Sequence, residues 1–502
     1  MGKASFAALP ILFLIVLMLL ALTVKCQQPL FHWYKTYGSL VSDFITKNVH
    51  YGSSLYVTGY TGYIGTGNVE YYDIIVGKVN LTTTDFIWLK KINDGEPDNR
   101  GYDVVIGADG YMYVTGYVEY RVDAGIYKRV FLAKINPNNG DIIWFKAYRN
   151  ATTQFGKTLL YYNGHIYLAY SGYYNGYSGF RTIFADLNAN DGSVNFAIFY
   201  GAPGTMYEEP SEMIMVNNYI YIVGYLAESA GKQYVFKAFI LKISPQDGLI
   251  SWLKAISGDA GYELGSGITY DSAGNLYIIG TTTSYGAGGK DVFVAKVDPD
   301  TGDIIWFKTI GGSLDDYGWD IFLGPDGYLY VVGETSSFGA GGVDGFIAKL
   351  DTNGNLLKFV CVGGSSDDFF NGILTANYYL YVSGYTLSYG EGDEDFTLML
   401  YSPSISNQLE WTGGEGWDPV SVADYTGVVV SNEYSITTES LTRTLESIIL
   451  EVDDRTLSIN IEDWAPVTHL ATDNVAPVPI PESALLILVL IATYFVLRKI
   501  RS

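Results

Sequence analysis

Apolar positions in this chain fall in short runs cut by Gly, Asn, Asp and Pro, and the runs come in groups of four. One group reads "WDIFLG", "YLYVVGE", "GFIAKLD" and "NLLKFVCV" between Trp319 and Val362, joined by "PDG", "SSFGAGGVD" and "TNG". Runs of this length, bounded by turn residues and rich in β-branched and aromatic side chains, predict strands. The second run of each group ends on a recurring anchor. It reads "YVTG" at 56–59 and 113–116, "YLAY" at 167–170, "YIVG" at 221–224, "YIIG" at 277–280, "YVVG" at 330–333 and "YVSG" at 381–384. A second anchor, Trp33, Trp88, Trp144, Trp252 and Trp306, each two residues before a Lys, repeats with the same unit of about 54 residues.

The runs alternate little between apolar and polar, so both faces of each strand are expected to be buried. Four such strands in a repeat of this length predict the blade of a β-propeller, an all-β fold in which neighbouring blades stack and supply the core that one blade lacks. Trp on the outer strand fits the widest gap between diverging blades, and "GSGITYD" (265–271) fits the crowded axis. Seven anchors are clear. "GWDPVSVADYTGVVVS" (416–431) matches "GWDIFLGPDGYLYVVG" (318–333), and "IILEVDD" (448–454) stands for a third strand. Eight blades are therefore favoured, with seven as the alternative. The strand around Trp33 precedes the first inner strand and is expected to complete the last blade and close the ring.

The ends are of another kind. Residues 1–26 hold the apolar run "FAALPILFLIVLMLLALTV" after Lys3, expected as a signal peptide or N-terminal anchor. The propeller is expected over 27–463 and a Pro-containing linker over 464–483. Residues 484–502, "ALLILVLIATYFVLRKIRS", are expected as a C-terminal hydrophobic anchor with a basic tip. "VPIPES", the apolar run and the basic tip together resemble the sorting tails handled by exosortases and archaeosortases. The chain carries a net charge of −23, and the five basic residues in its two ends leave the body between them still more acidic. Such a body repels nucleic acid and attracts cations. These features place the protein at the cell surface, extracellular and held in the membrane.

The pattern Lys-Val-Asp-Pro-Asp-Thr-Gly-Asp-x-x-Trp (296–306) and "GGSLDDYGWDIFLGPDGYLYVVGETSSFG" (311–339) resemble two related repeat families. One is the SBBP repeat of secreted surface propellers. The other is the repeat of quinoproteins that bind pyrroloquinoline quinone, and of their non-catalytic relatives in envelope assembly. The resemblance covers roughly residues 31 to 460 and implies a propeller. The adjacent Cys pair of the quinone enzymes is absent, because Cys26 and Cys361 stand far apart, so no cofactor is expected. The four His lack zinc spacing, and there is no nucleophile elbow or phosphate loop. A non-catalytic binding or adhesion propeller follows, with a glycan, a protein or a neighbouring cell as partner. A structural envelope component with self-association is the alternative, and a surface hydrolase or lyase using two carboxylates is third.

Turns such as "DPDTGD" (298–303) and "DTNGN" (351–355) read as hairpins between third and fourth strands, with Gly supplying positive φ. The loops between blades carry most of the remaining acids. Asp43, Asp98, Asp103, Glu208, Glu209, Asp259, Glu263, Asp315, Asp316, Asp367, Asp368, Glu415 and Asp418 are expected to form a ligand face. Asp315, Asp316, Asp367 and Asp368 are the calcium candidates among them, since carboxylate oxygens suit that ion. Asn80 and Asn150 head N-glycosylation sequons.

Overall fold

The computed structural model describes residues 31–401, apart from short stretches in several loops, and four short strands at 421–424, 451–452, 460–463 and 467–470. The two apolar ends, Trp411, Asp259, Glu415, Asp418 and Asn150 lie outside the described residues. All regular structure among the described residues is β-strand, and no helix there is long and apolar enough to cross a membrane.

The strands make seven four-stranded antiparallel blades. The inner strands are Asp43–Tyr51, Arg100–Ile106, Thr153–Tyr162, Thr205–Val216, Glu263–Tyr270, Asp316–Leu323 and Asp368–Ala376. Each pairs in register with a second strand that ends or centres on one of the seven anchors. Blade 7 takes its outer strand from the start of the chain, where Phe31–Gly38 pairs antiparallel with Asp395–Tyr401. The closure expected for the N-terminal strand is present.

Buried apolar side chains fall into seven clusters, and each cluster spans one pair of adjacent blades. Ile279 and Val294 of blade 5, for example, share a cluster with Val331 and Phe346 of blade 6. Leu398 and Tyr381 of blade 7 share one with Val57 and Ile75 of blade 1. Among the described residues the ring closes with seven blade interfaces, the alternative to the favoured count of eight. The described parts of the expected eighth unit pair with other blades. Residues 421–424 pair with the outer strand of blade 5 and 451–452 with that of blade 2. The strands 460–463 and 467–470, the second inside the expected linker, pair with the outer strands of blades 1 and 7.

The acidic turns have a packing role. Trp88 Nε1 donates to Pro137 O, Trp144 to Asn190 O, Trp252 to Pro299 O and Trp306 to Thr352 O, at 2.9–3.3 Å, each acceptor lying in the third-to-fourth turn of the next blade. The turn glycine, with positive φ at Gly140, Gly192, Gly302 and Gly354, sits against the Trp ring. Only a residue without Cβ meets both demands.

Candidate functional site: a polar channel ringed by aromatic side chains

Every inner strand carries a bulge at the same level, and that of blade 4 has a second irregularity between Thr205 and Tyr207. The register slips around Thr46, Tyr102, Lys157, Ser211, Ser266, Trp319 and Asn371. An extra residue on one strand turns its side chain away from the ladder. All seven line one cavity of about 220 Å³ on the propeller axis, together with Lys47, Asp103, Thr158, Glu209, Glu212 and Asp320.

Some bulge side chains also tie blades together. Thr46 Oγ1 donates to Gly101 O at 2.9 Å, Ser211 Oγ to Gly265 O at 2.8 Å and Asn371 Nδ2 to Ile45 O at 2.7 Å, each in the following blade around the ring. The acids one residue after the bulges in blades 2, 4 and 6 do the same in the other sense. Asp103 Oδ2 accepts from Leu159 N, Glu212 Oε2 from Ile268 N and Asp320 Oδ2 from Ile373 N, at 2.8–3.0 Å.

Lys47 sits among these three acids, with Nζ 2.5 Å from Glu212 Oε1 and 3.7 Å from Asp320 Oδ2. Burial works against its charge, yet Asp320, Glu212 and Asp103 hold its ammonium protonated well above the ordinary lysine range. Burial pushes Asp103 up to about 6 and Asp320 up to about 7, with Lys47 opposing in both cases. Lys157 Nζ pairs with Glu209 Oε1 at 2.5 Å. The lining therefore offers four acids and two lysines, dense in donors and acceptors and slightly acidic.

Around this cavity runs a chain of half-buried aromatic rings. Phe369 stacks on Tyr385, Tyr385 meets Phe44, Phe44 meets Tyr60 and Tyr60 meets Tyr72, with centroids 4.4–5.3 Å apart. The Arg100 guanidinium lies over Tyr60 and Tyr72. A second run joins Tyr102, Tyr117, Phe155, Phe180, Tyr207, Tyr225, Phe236 and Tyr262, with Tyr117 fully buried. Lys290 bridges Tyr262 to Tyr317, and Tyr317 stacks on Trp319. Tyr102 and Trp319 belong to both the ring and the cavity wall. Trp319 is 39% exposed, and its Nε1 donates to Glu334 Oε2 at 2.9 Å. Burial pushes Glu334 up to about 7.

The acids expected to form a ligand face are mostly inside the fold. Asp43, Glu208, Glu263, Asp316 and Asp368 are buried near the starts of inner strands. Asp98 binds Arg100, Lys128 and Tyr117, Asp315 binds Lys290, and Asp367 accepts from Val343 N. Among the described ones, Glu209 and Asp103 reach the channel. Asn80, the described sequon residue, accepts from Thr82 N and Thr83 N in a local turn. Lys47, Glu212, Asp320 and Trp319 were not singled out from sequence. The small residue before four of the bulges (Gly101, Gly156, Gly265, Gly318) was the available sign of them.

No family model and no curated protein matches the chain. Solved structures that resemble it include the quinohemoprotein alcohol dehydrogenase from Comamonas testosteroni, at 10% identity and TM-score 0.42 over 77% of this chain and 79% of that one. The propeller domain of the Trilobed protease from Pyrococcus furiosus matches at 10% identity and TM-score 0.40, over 73% of this chain and 94% of that one. The Neurospora crassa Pan2 WD40 domain matches at 10% identity and TM-score 0.40, over 75% and 98%. Likenesses this distant carry no argument about what the chain does.

Proposed function

We propose that the protein is a non-catalytic binding propeller of the cell surface whose channel takes the end of a glycan. The observation that carries this reading is the aromatic ring that leads into a cavity walled by side chains from all seven blades. Aromatic faces stack on the apolar face of a sugar ring while carboxylates and hydroxyls take its OH groups. At about 220 Å³ the cavity falls below the roughly 300–1,000 Å³ of a drug-sized site, which suits one terminal unit of a longer chain. A role without catalysis is supported by the channel acids themselves, since Asp103, Glu212 and Asp320 each hold a backbone amide of the next blade. Delivery to the surface and anchoring through residues 484–502 rest on the composition of the two ends.

A carboxylate hydrolase is the second reading, favoured by Asp320 and Glu334, both pushed up to about 7 on either side of Trp319. Glycan-array binding by the detergent-purified full-length chain tests both. Binding that falls at least tenfold in Trp319→Ala and Tyr102→Ala, with the glycan recovered intact, is the expected result. Release of shortened glycan would favour the hydrolase. Binding untouched by both substitutions would remove the channel from the reading.

A further inference from the structure

The ring has two faces. On one the inner strands begin, and the aromatic rings gather there: Phe44, Tyr317 and Phe369 are each the second residue of an inner strand. This is the mouth face. On the other the inner strands end, and the first-to-second and third-to-fourth turns lie there. A strand of eight residues is about 26 Å long, which sets the distance between the two faces.

The first and last described strands of the chain lie side by side on blade 7. Phe31 stands opposite Tyr401, the last residue of the third strand, so the first strand starts at the turn face and runs toward the mouth. The strand 467–470 pairs antiparallel with it, from Val467 opposite Gly38 to Leu470 opposite Lys35. It therefore runs toward the turn face. The strands 421–424, 451–452, 460–463 and 467–470 take the outer edges of blades 5, 2, 1 and 7, so the last of them returns the chain to its first strand.

The two apolar runs stand close to these strands in sequence. Residues 27–30 separate Phe31 from the N-terminal run and allow a span of at most about 18 Å, less than the height of the ring. Residues 471–483 separate Leu470 from the C-terminal run and allow at most about 50 Å. Either run therefore joins the ring through a strand end directed at the turn face.

That face also carries exposed side chains suited to a lipid surface. Tyr51, Tyr162, Tyr219 and Tyr270, 38–49% exposed, all stand at first-to-second turns, in blades 1, 3, 4 and 5. A tyrosine at a membrane surface places its ring at the edge of the acyl chains and its hydroxyl among the headgroups. Ile87, Ile143 and Ile305, 51–53% exposed, are each the second residue of an outer strand, just past a third-to-fourth turn. Between them the turn acids Asp141, Asp300 and Asp303 have side chains 61–90% exposed. Their charge repels anionic lipid, which leaves zwitterionic headgroups as the matching surface.

We propose that the propeller stands on its membrane with the turn face against zwitterionic headgroups and the aromatic mouth pointing away. This orientation rests on the membrane anchoring proposed for the apolar ends. The channel then meets a glycan end carried on an opposing surface, not the headgroups of its own membrane.

The test uses the full-length chain with Cys26→Ser and Cys361→Ser, reconstituted in phosphatidylcholine vesicles whose headgroups carry an energy-acceptor dye. A donor dye sits on one introduced cysteine. Ser272→Cys and Asn353→Cys report from the turn face, and Ala287→Cys and Leu314→Cys from the mouth face, all four positions being exposed. Transfer from the turn-face sites is expected to be at least threefold that from the mouth-face sites. Tyr51→Ser combined with Tyr162→Ser, Tyr219→Ser and Tyr270→Ser should narrow that ratio, because the face loses its hold on the headgroups. Equal transfer from the two faces, or stronger transfer from the mouth, would overturn the proposal. A ratio unmoved by the four serines would overturn the lipid contact. A chain that fails to float with the vesicles would remove the anchoring and this orientation with it. Glycan binding in detergent depends on none of these outcomes.

Discussion

The side-chain amide of Asn48 donates to Ser383 Oγ at 2.6 Å, and both residues are buried although 335 positions separate them in sequence. One is on the inner strand of blade 1 and the other on the second strand of blade 7. Asn371 Nδ2 to Ile45 O and Tyr381 OH to Leu81 O cross the same seam at other radii.

The seam should therefore be sensitive to single substitutions. Asn48→Ala leaves a buried hydroxyl with one partner fewer and should cost about 1–3 kcal/mol, read as a lower denaturant midpoint with an unchanged slope. Deleting residues 31–38 removes the outer strand of blade 7, opens an edge and uncovers Tyr37's cluster, so it should cost more. A deletion variant as stable as the intact chain would show that the first strand does not hold the ring.

The channel charges predict a pH dependence of definite sign. Asp103 and Asp320 stand at about 6 and about 7 in the folded chain, against an ordinary value of 3.8. A carboxyl held above its ordinary value favours folding at low pH, and that contribution is lost as pH rises through the folded value. Lys47 limits the upward shift of both. Lys47→Met should consequently fall further behind the wild type at about pH 8 than at about pH 4.5. Urea midpoints across that interval give the answer, and a constant gap would deny the electrostatic coupling.

Two turn glycines separate backbone strain from crowding. Gly354 has φ +81°, and a Cβ there would stand 2.9–3.1 Å from the Lys308 chain and the Trp306 ring. Gly327 has φ +79° and open space around it. Gly327→Ala should cost about 1 kcal/mol from the backbone alone, whereas Gly354→Ala adds the displacement of Trp306. Equal melting temperatures for the two variants would mean that the Trp gives way freely.

Periodicity made the blade legible because each repeat must present the same four apolar runs to its neighbours. The hairpin role of "DPDTGD" and "DTNGN" was legible for the same reason. The place of 416–431 was less so. The likeness of 416–431 to 318–333 records a strand-forming pattern, and such a pattern is equally at home on an outer edge, as 421–424 is beside Lys308–Gly311. Nor does the letter D tell which way a side chain faces. Asp316 and Asp368 read as loop acids, but the inner strand begins on them and carries them inward.

The bulges have an evolutionary consequence. Thr46, Ser211 and Asn371 serve their neighbours through a hydrogen bond each, but Tyr102, Lys157, Ser266 and Trp319 stand at an equivalent place with nothing in common chemically. A residue excluded from the ladder is released from the demands of register. Those four sites answer to side-chain neighbours and not to the ladder, so a lineage could change what the axis accepts while inheriting the same ring.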